Sequence, residues 1–167
     1  AEKKGYLVPE GMKRNALNDL SRIARNWKPE ASYSAESEEM TQAYRLFVLA
    51  LGQVAEVGAM NRLKESKTLM SMSRYLLAAG YALIGRPDVS KELVVKTTAL
   101  TTACSGYDQT FGSDLRDTSI RLMTLCLLDG GKEAALLANE ISKTLASDDW
   151  LSTQSTAFSL VALSDYM

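Results

Sequence analysis

Three acidic clusters are where chemistry would be sought first in this sequence: Glu36, Glu38 and Glu39; Asp114 and Asp117 flanking Arg116; and Asp148 with Asp149. A pair of carboxylates can hydrolyse a glycoside, one as acid and the other as base or nucleophile. Tyr33, Tyr107, Phe111 and Trp150 fall between helical segments, where they could stack sugars or plug a hydrophobic edge. Every one of those carboxylates, however, lies at or just before a helix start, where the dipole and free amides favour negative charge for structural reasons alone. The chain has no histidine, which removes the commonest general base, the commonest zinc ligand and every Ser-His or Cys-His pair. P-loop, G-x-G-x-x-G, G-x-S-x-G and H-E-x-x-H patterns are absent as well. No catalytic residue, cofactor-binding residue, cofactor or metal ligand is therefore assigned.

Six positions remain as structural or interface candidates: Gln42, Arg116, Asp117, Trp150, Thr153 and Gln154. Arg116 and Asp117 are adjacent, and neighbours at i, i+1 do not face each other on a helix. One of them is expected to pair with a neighbouring repeat. Gln42 and Gln154 each follow a threonine at equivalent repeat positions. They are expected to bond loop backbone, a ligand contact being the alternative. Cys104 and Cys126 form no C-x-x-C motif. Buried thiols are expected there, with a disulfide between neighbouring helices as the alternative.

The elements that must position these residues are helical, because the 3.6-residue period dominates. Met12, Ala16, Leu17, Leu20, Ile23, Ala24 and Trp27 make a one-sided stripe stopped near Pro29. After a cap at Ser34, Met40 to Leu51 is apolar nearly all round. The contrast then repeats: amphipathic Val57 to Leu63 before apolar Leu69 to Ile84; amphipathic Val89 to Val94 before apolar Leu115 to Leu128; amphipathic Ala134 to Leu145 before apolar Ser155 to Met167. Eleven-residue blocks starting at Thr41, Ser73, Asp117 and Thr153 align, at spacings of 32, 44 and 36 residues. Irregular repeats of helix pairs mean a solenoid or a closed ring. Strong asymmetry within each pair favours an all-α fold of α/α-toroid-like hairpin repeats, a partial ring of buried inner helices alternating with amphipathic outer ones. Leu46, Phe47 and Leu160 would then be central, each costing about 2 to 5 kcal/mol on truncation to alanine.

The 167 residues are 46% hydrophobic and 23% charged, with a net charge of −1. Those values suit one globular domain over 1–167 and exclude a disordered tail; they also argue against a basic nucleic-acid surface. No apolar run approaches the roughly 20 residues that span a bilayer. Ala1 to Gly5 lack a signal-peptide core, there is no initiator Met, and the helical pattern runs to Met167. The expectation is an excised piece of a much larger protein.

Several segments resemble the alpha-2-macroglobulin family, particularly its bacterial members. Gly5 to Met12 resembles the lead-in to a helix pair of that family's thioester domain, and Gln42 to Leu46 with Gly58 to Leu63 resembles the next pair. Ala78 to Asp88 matches a helix end of the family, and Leu115-Arg116-Asp117 before an apolar helix is similar to the bacterial pattern. Most specific is Trp150 to Phe158, which resembles the segment opening a late helix of the ring. The resemblance implies the later part of the thioester domain of an endopeptidase inhibitor, a large protein that presents a bait region, changes shape on cleavage and traps the protease. It implies partners among proteases and the remaining domains of the parent chain. It also implies an extracytoplasmic place, periplasmic or as a lipoprotein of a Gram-negative envelope, anchored to the membrane only through an N-terminal segment not present here.

The sequence departs from the family at its reactive centre. Cys104 precedes Ser-Gly-Tyr and Cys126 precedes Leu-Leu-Asp, so neither begins the thioester motif C-x-E-Q. No thioester residue is carried onto this chain, and the part played by the segment is structural and non-enzymatic. Rival readings are a glycan-active α/α-toroid enzyme and a helical-repeat protein-binding module with comparable burial in both helices of each pair. A partial ring exposes apolar surface at its ends, so the isolated chain is expected to dimerise. Light scattering at high concentration checks this, and a clean monomer would contradict it.

Overall fold

The computed structural model describes residues 7–29, 35–66, 69–98 and 113–167. Eight helices occupy them: α1 (Glu10–Asn26), α2 (Ala35–Leu51), α3 (Val57–Lys64), α4 (Ser71–Leu83), α5 (Pro87–Thr98), α6 (Asp114–Cys126), α7 (Gly131–Leu145) and α8 (Thr153–Tyr166). No strand occurs among the described residues, and no helix among them is long and apolar enough to cross a membrane. The expected cap Ser34, Cys104 and the aromatics Tyr33, Tyr107 and Phe111 lie outside the described residues.

Local chemistry sets the boundaries. Gly85 takes a φ of +77° to close α4, a conformation glycine adopts without penalty. Pro87 then opens α5, where its missing N–H is no loss. Ser113 and Ser152 cap α6 and α8, their Oγ atoms accepting from the Arg116 and Ser155 amides at 3.1 Å each. Beyond α6, a Cβ added at Gly130 would lie 2.6 Å from the Leu125 Cβ. Only glycine lets the chain turn back that closely.

The helices form hairpins in two layers. α2, α4, α6 and α8 pack in series, each against the next, while α5 covers α4, α7 covers α6 and α8, and α3 bridges α2 and α4. The inner layer is enveloped: Tyr75 to Tyr81 are all buried along α4, and α6 buries Ile120 and every residue from Leu122 to Leu125. Outer helices bury one stripe, Ala59, Met60 and Leu63 on α3 and Ala134, Leu137, Ala138 and Ile141 on α7. The α3–α4 pair, with three residues buried against eight, lacks the equal burial that the plain helical-repeat reading requires, whereas α7 and α8 bury four and three.

The two ends of the series depart from expectation. On α8 only Ser155, Ser159 and Ala162 are buried, whereas Leu160 is 58% exposed. α8 packs on α6 and α7 and meets α2 through the Phe158 and Tyr44 rings, but Leu160 faces away from these contacts. Leu160 is therefore not a core residue. On α1, Ala24 is fully buried and Leu17, Leu20 and Trp27 are partly buried, while Met12 and Ile23 of the predicted stripe are exposed. Leu46→Ala and Phe47→Ala are expected to cost about 2 to 5 kcal/mol and Leu160→Ala about 1 kcal/mol or less. Urea unfolding of the three variants measures this; equal losses would contradict the layering.

Candidate functional site

The starts of the inner helices are tied together by polar side chains, several of them buried. Glu39, in the second turn of α2, is 6% exposed. Its Oε1 accepts the Met70 backbone N–H at 2.8 Å, one of the amides a helix start leaves without an internal partner. A carboxylate of one inner helix thus closes the start of the next. Ser66 and Ser73 hydroxyls and the nearby Arg74 charge also favour its ionised form, but burial outweighs them and pushes the Glu39 carboxyl above its usual range. One turn on, Gln42 is fully buried and its Nε2 donates to the Ala24 carbonyl at 3.1 Å. Its Oε1 accepts from Arg45. Gln42 therefore bonds backbone, though the carbonyl belongs to the last turn of α1 and not to a loop.

At α6 and α8 the starts are tied by hydroxyls. Ser155 Oγ lies 2.6 Å from Ser113 Oγ and 2.8 Å from Ser152 Oγ, so one side chain links the caps of both helices. Deeper in, Ser119 and Ser159 hydroxyls meet at 3.0 Å, and Thr124 Oγ1 donates toward the Tyr75 and Ile120 carbonyls at 3.0 and 2.9 Å. These ties were not anticipated, although Ser155, Ser159 and Ala162 do form a small-residue stripe at helical spacing.

Arg116 and Asp117 correct the adjacency argument, because they pair with each other. Arg116 Nε sits 2.9 Å from Asp117 Oδ1 and its terminal nitrogen 2.7 Å from the same oxygen. The 100° between adjacent Cβ directions is spanned by the long, flexible arginine stem. The pair is enclosed, with side chains 6% and 15% exposed.

The remaining candidates are dispersed. Trp150 is 88% exposed, and Thr153 and Gln154 face solvent. Gln154 thus does not repeat the buried role of Gln42. Glu38, Asp114, Asp148 and Asp149 are exposed, with Asp149 accepting from Ser147 Oγ at 3.1 Å. No group of three or more Cys, Asp and Glu side chains among the described residues could hold a metal ion. Glycoside chemistry needs two carboxylates facing one cleft; here Glu39 is engaged at a helix junction and Asp117 by a guanidinium.

A second feature lies along the inner helices and reaches their C-terminal ends. A cavity of about 510 Å³ opens between α2, α4, α6 and α8, walled by Tyr44, Phe47, Met123 and Phe158 among others. The Tyr44 and Phe158 rings meet edge-on at 6.0 Å. The half-buried Cys126 thiol on its wall is pushed up by burial first and by the Asp165 charge second. Asp165 is the one carboxylate among the lining residues.

No protein-family model matches the chain, and no curated protein matches it. Solved structures do. Native alpha-2-macroglobulin from Escherichia coli, spanning domain MG7 to the C-terminus, aligns with 98% of this chain at a TM-score of 0.77 and 21% identity. A Salmonella alpha-2-macroglobulin mutant aligns with 99% at 0.76 and 22%, and trypsin-activated Escherichia coli alpha-2-macroglobulin with 98% at 0.72 and 22%. The chain spans 27%, 11% and 12% of those three chains respectively. At these identities the likeness shows a shared helical fold, in the proteins that the sequence resembles.

The Glu39 junction yields a prediction with a definite sign. A carboxyl raised in the fold stabilises it most when protonated, so its contribution is full at low pH and is lost as pH rises through the raised value. Glu39→Gln keeps an acceptor for the Met70 amide and removes that decline, so its stability relative to the parent grows between about pH 4 and 7. Glu39→Ala orphans the amide and costs about 1 to 3 kcal/mol. Urea unfolding across that pH range checks both; a pH-independent difference for Glu39→Gln would contradict the assignment.

Proposed function

We propose that this chain is a structural, non-catalytic segment of the thioester domain in a bacterial alpha-2-macroglobulin-like protein, and that the parent protein traps proteases. Alignment of nearly the whole chain with the Escherichia coli and Salmonella proteins at TM-scores of 0.72 to 0.77 carries this reading. The ordered sequence matches ending in Trp150 to Phe158 support it independently. Two of the aligned structures are Escherichia coli alpha-2-macroglobulin activated by trypsin and by porcine elastase, so the partners proposed for the parent are endopeptidases.

In this reading the inner and outer layers are part of a toroid, and the parent works outside the cytoplasm in defence of a Gram-negative envelope. The segment's task follows from what its polar residues do. Glu39, Gln42, Ser113 and Ser155 are spent on joining helix ends, which makes a body able to keep its shape while domains around it rearrange. Neither Cys104 nor Cys126 stands in a C-x-E-Q context, so any thioester would be supplied from elsewhere in the parent.

The test uses the full-length parent. Incubated with trypsin or elastase, it is expected to suppress digestion of a large substrate such as casein while leaving cleavage of a small chromogenic peptide largely intact. A trapped protease behaves so because its active site stays open to small molecules. Unimpeded casein digestion at excess parent protein would overturn the reading, and equal loss of both activities would replace trapping by ordinary active-site inhibition.

A further inference from the structure

The four inner helices end at a common place, and that place is electrically unusual. Leu51, the last residue of α2, Leu83 of α4 and Cys126 of α6 all line the same cavity, as does Asp165 in the last turn of α8. A helix C-terminus carries a partial negative charge that a nearby Lys, Arg or His ordinarily offsets. Every outer helix has such a residue in its last turn: Arg25 on α1, Arg62 and Lys64 on α3, Lys96 on α5 and Lys143 on α7. None of the four inner helices has one. Asp165 adds a full negative charge, against the local preference. Arg86, just beyond α4, is engaged by Asp88 at 3.1 and 3.2 Å.

The lining is otherwise apolar and aromatic, and its rim stays open. Tyr44, Leu51, Leu127 and Val161 are 42 to 49% exposed. The volume of about 510 Å³ is within the range of ligand sites. Sites for small molecules enclose most of the ligand's surface, whereas a rim shared by three helices suits a chain lying across it. The aromatic walls supply apolar contact area, and the helix ends, closed by backbone N–H groups without a basic side chain in their last turns, supply with Asp165 the charge preference.

We propose that this groove takes an apolar peptide segment carrying one Lys or Arg, the aliphatic stem lying on Tyr44 and Phe158 and the cationic head at Asp165 and the inner-helix ends. The inference rests on helix polarity and lining residues, not on the family reading, and either can fail without the other.

The test follows protection of Cys126 from iodoacetamide in a Cys104→Ser background of the 167-residue chain. The probes are acetylated, amidated peptides of sequence Leu-Phe-Lys-Leu-Leu, with norleucine or Glu replacing Lys in the controls, and octyltrimethylammonium. The Lys peptide is expected to protect at concentrations about 3-fold below the norleucine peptide and about 10-fold below the Glu peptide. Asp165→Asn should reduce the Lys-over-Glu preference about 3-fold, and 0.5 M salt should do the same. Ala157→Phe, which fills the groove from an exposed position, should abolish protection with helicity retained. Equal protection by all three peptides, or a preference for Glu, would overturn the proposal. So would an unchanged preference in Asp165→Asn, or protection by octyltrimethylammonium at lower concentrations than the Lys peptide.

Discussion

Helices that run side by side in the same direction bring their unpaired amides to one place, and that requirement governs the inner layer. Each helix start leaves donors that must be satisfied, and at a crowded end water is a poor supplier. The chain answers differently at each junction. Glu39 reaches from α2 to the Met70 amide before α4, whereas α6 and α8 share hydroxyls through Ser113, Ser152 and Ser155. Gln42 performs the complementary task, closing a carbonyl at the end of α1. Polar side chains that a functional reading would enlist are thus occupied in holding helices in register.

The same layer depends on small residues where axes come close. A Cβ at Gly80 of α4 would meet the Met60 methyl at 3.2 Å and the Phe47 Cα at 3.8 Å, so α2 passes almost against the α4 backbone. Ser119 and Ser159 do the equivalent between α6 and α8. Small side chains permit close packing, and hydrogen-bonded hydroxyls fill the contact without leaving an unpaired polar group. Large apolar residues are displaced to the flanks, where Leu46, Leu76 and Leu122 are fully buried.

The alternation of layers was legible because hydrophobic periodicity reports burial directly. Helix ends at Gly85, Pro87 and Asp129-Gly130-Gly131 were legible because their backbone conformations select those residues. What the sequence could not convey was which apolar helix has a neighbour on every side. α8 is as apolar as α4, yet Leu160 is exposed and Tyr81 is buried, because burial depends on what surrounds a helix and not on its own composition. Equivalent repeat positions misled for the same reason: Gln42 has the end of α1 above it and Gln154 has solvent. Arg116 and Asp117 escaped a rule built on Cβ directions because arginine's reach exceeds the geometry that rule describes.

Unequal enclosure along the series gives the molecule a gradient of persistence. α4 is flanked by α2, α3, α5 and α6, whereas α1 packs on α2 and α3, and α8 packs on α6 and α7 with a ring contact from Phe158 to Tyr44 of α2, among the helices described. Local opening costs least where the fewest buried contacts must be broken. Backbone amides of α1 and α8 should therefore exchange with solvent deuterium through frequent partial openings, while those from Tyr75 to Tyr81 wait for the whole array to come apart. Such a body breathes at its edges around a fixed spine.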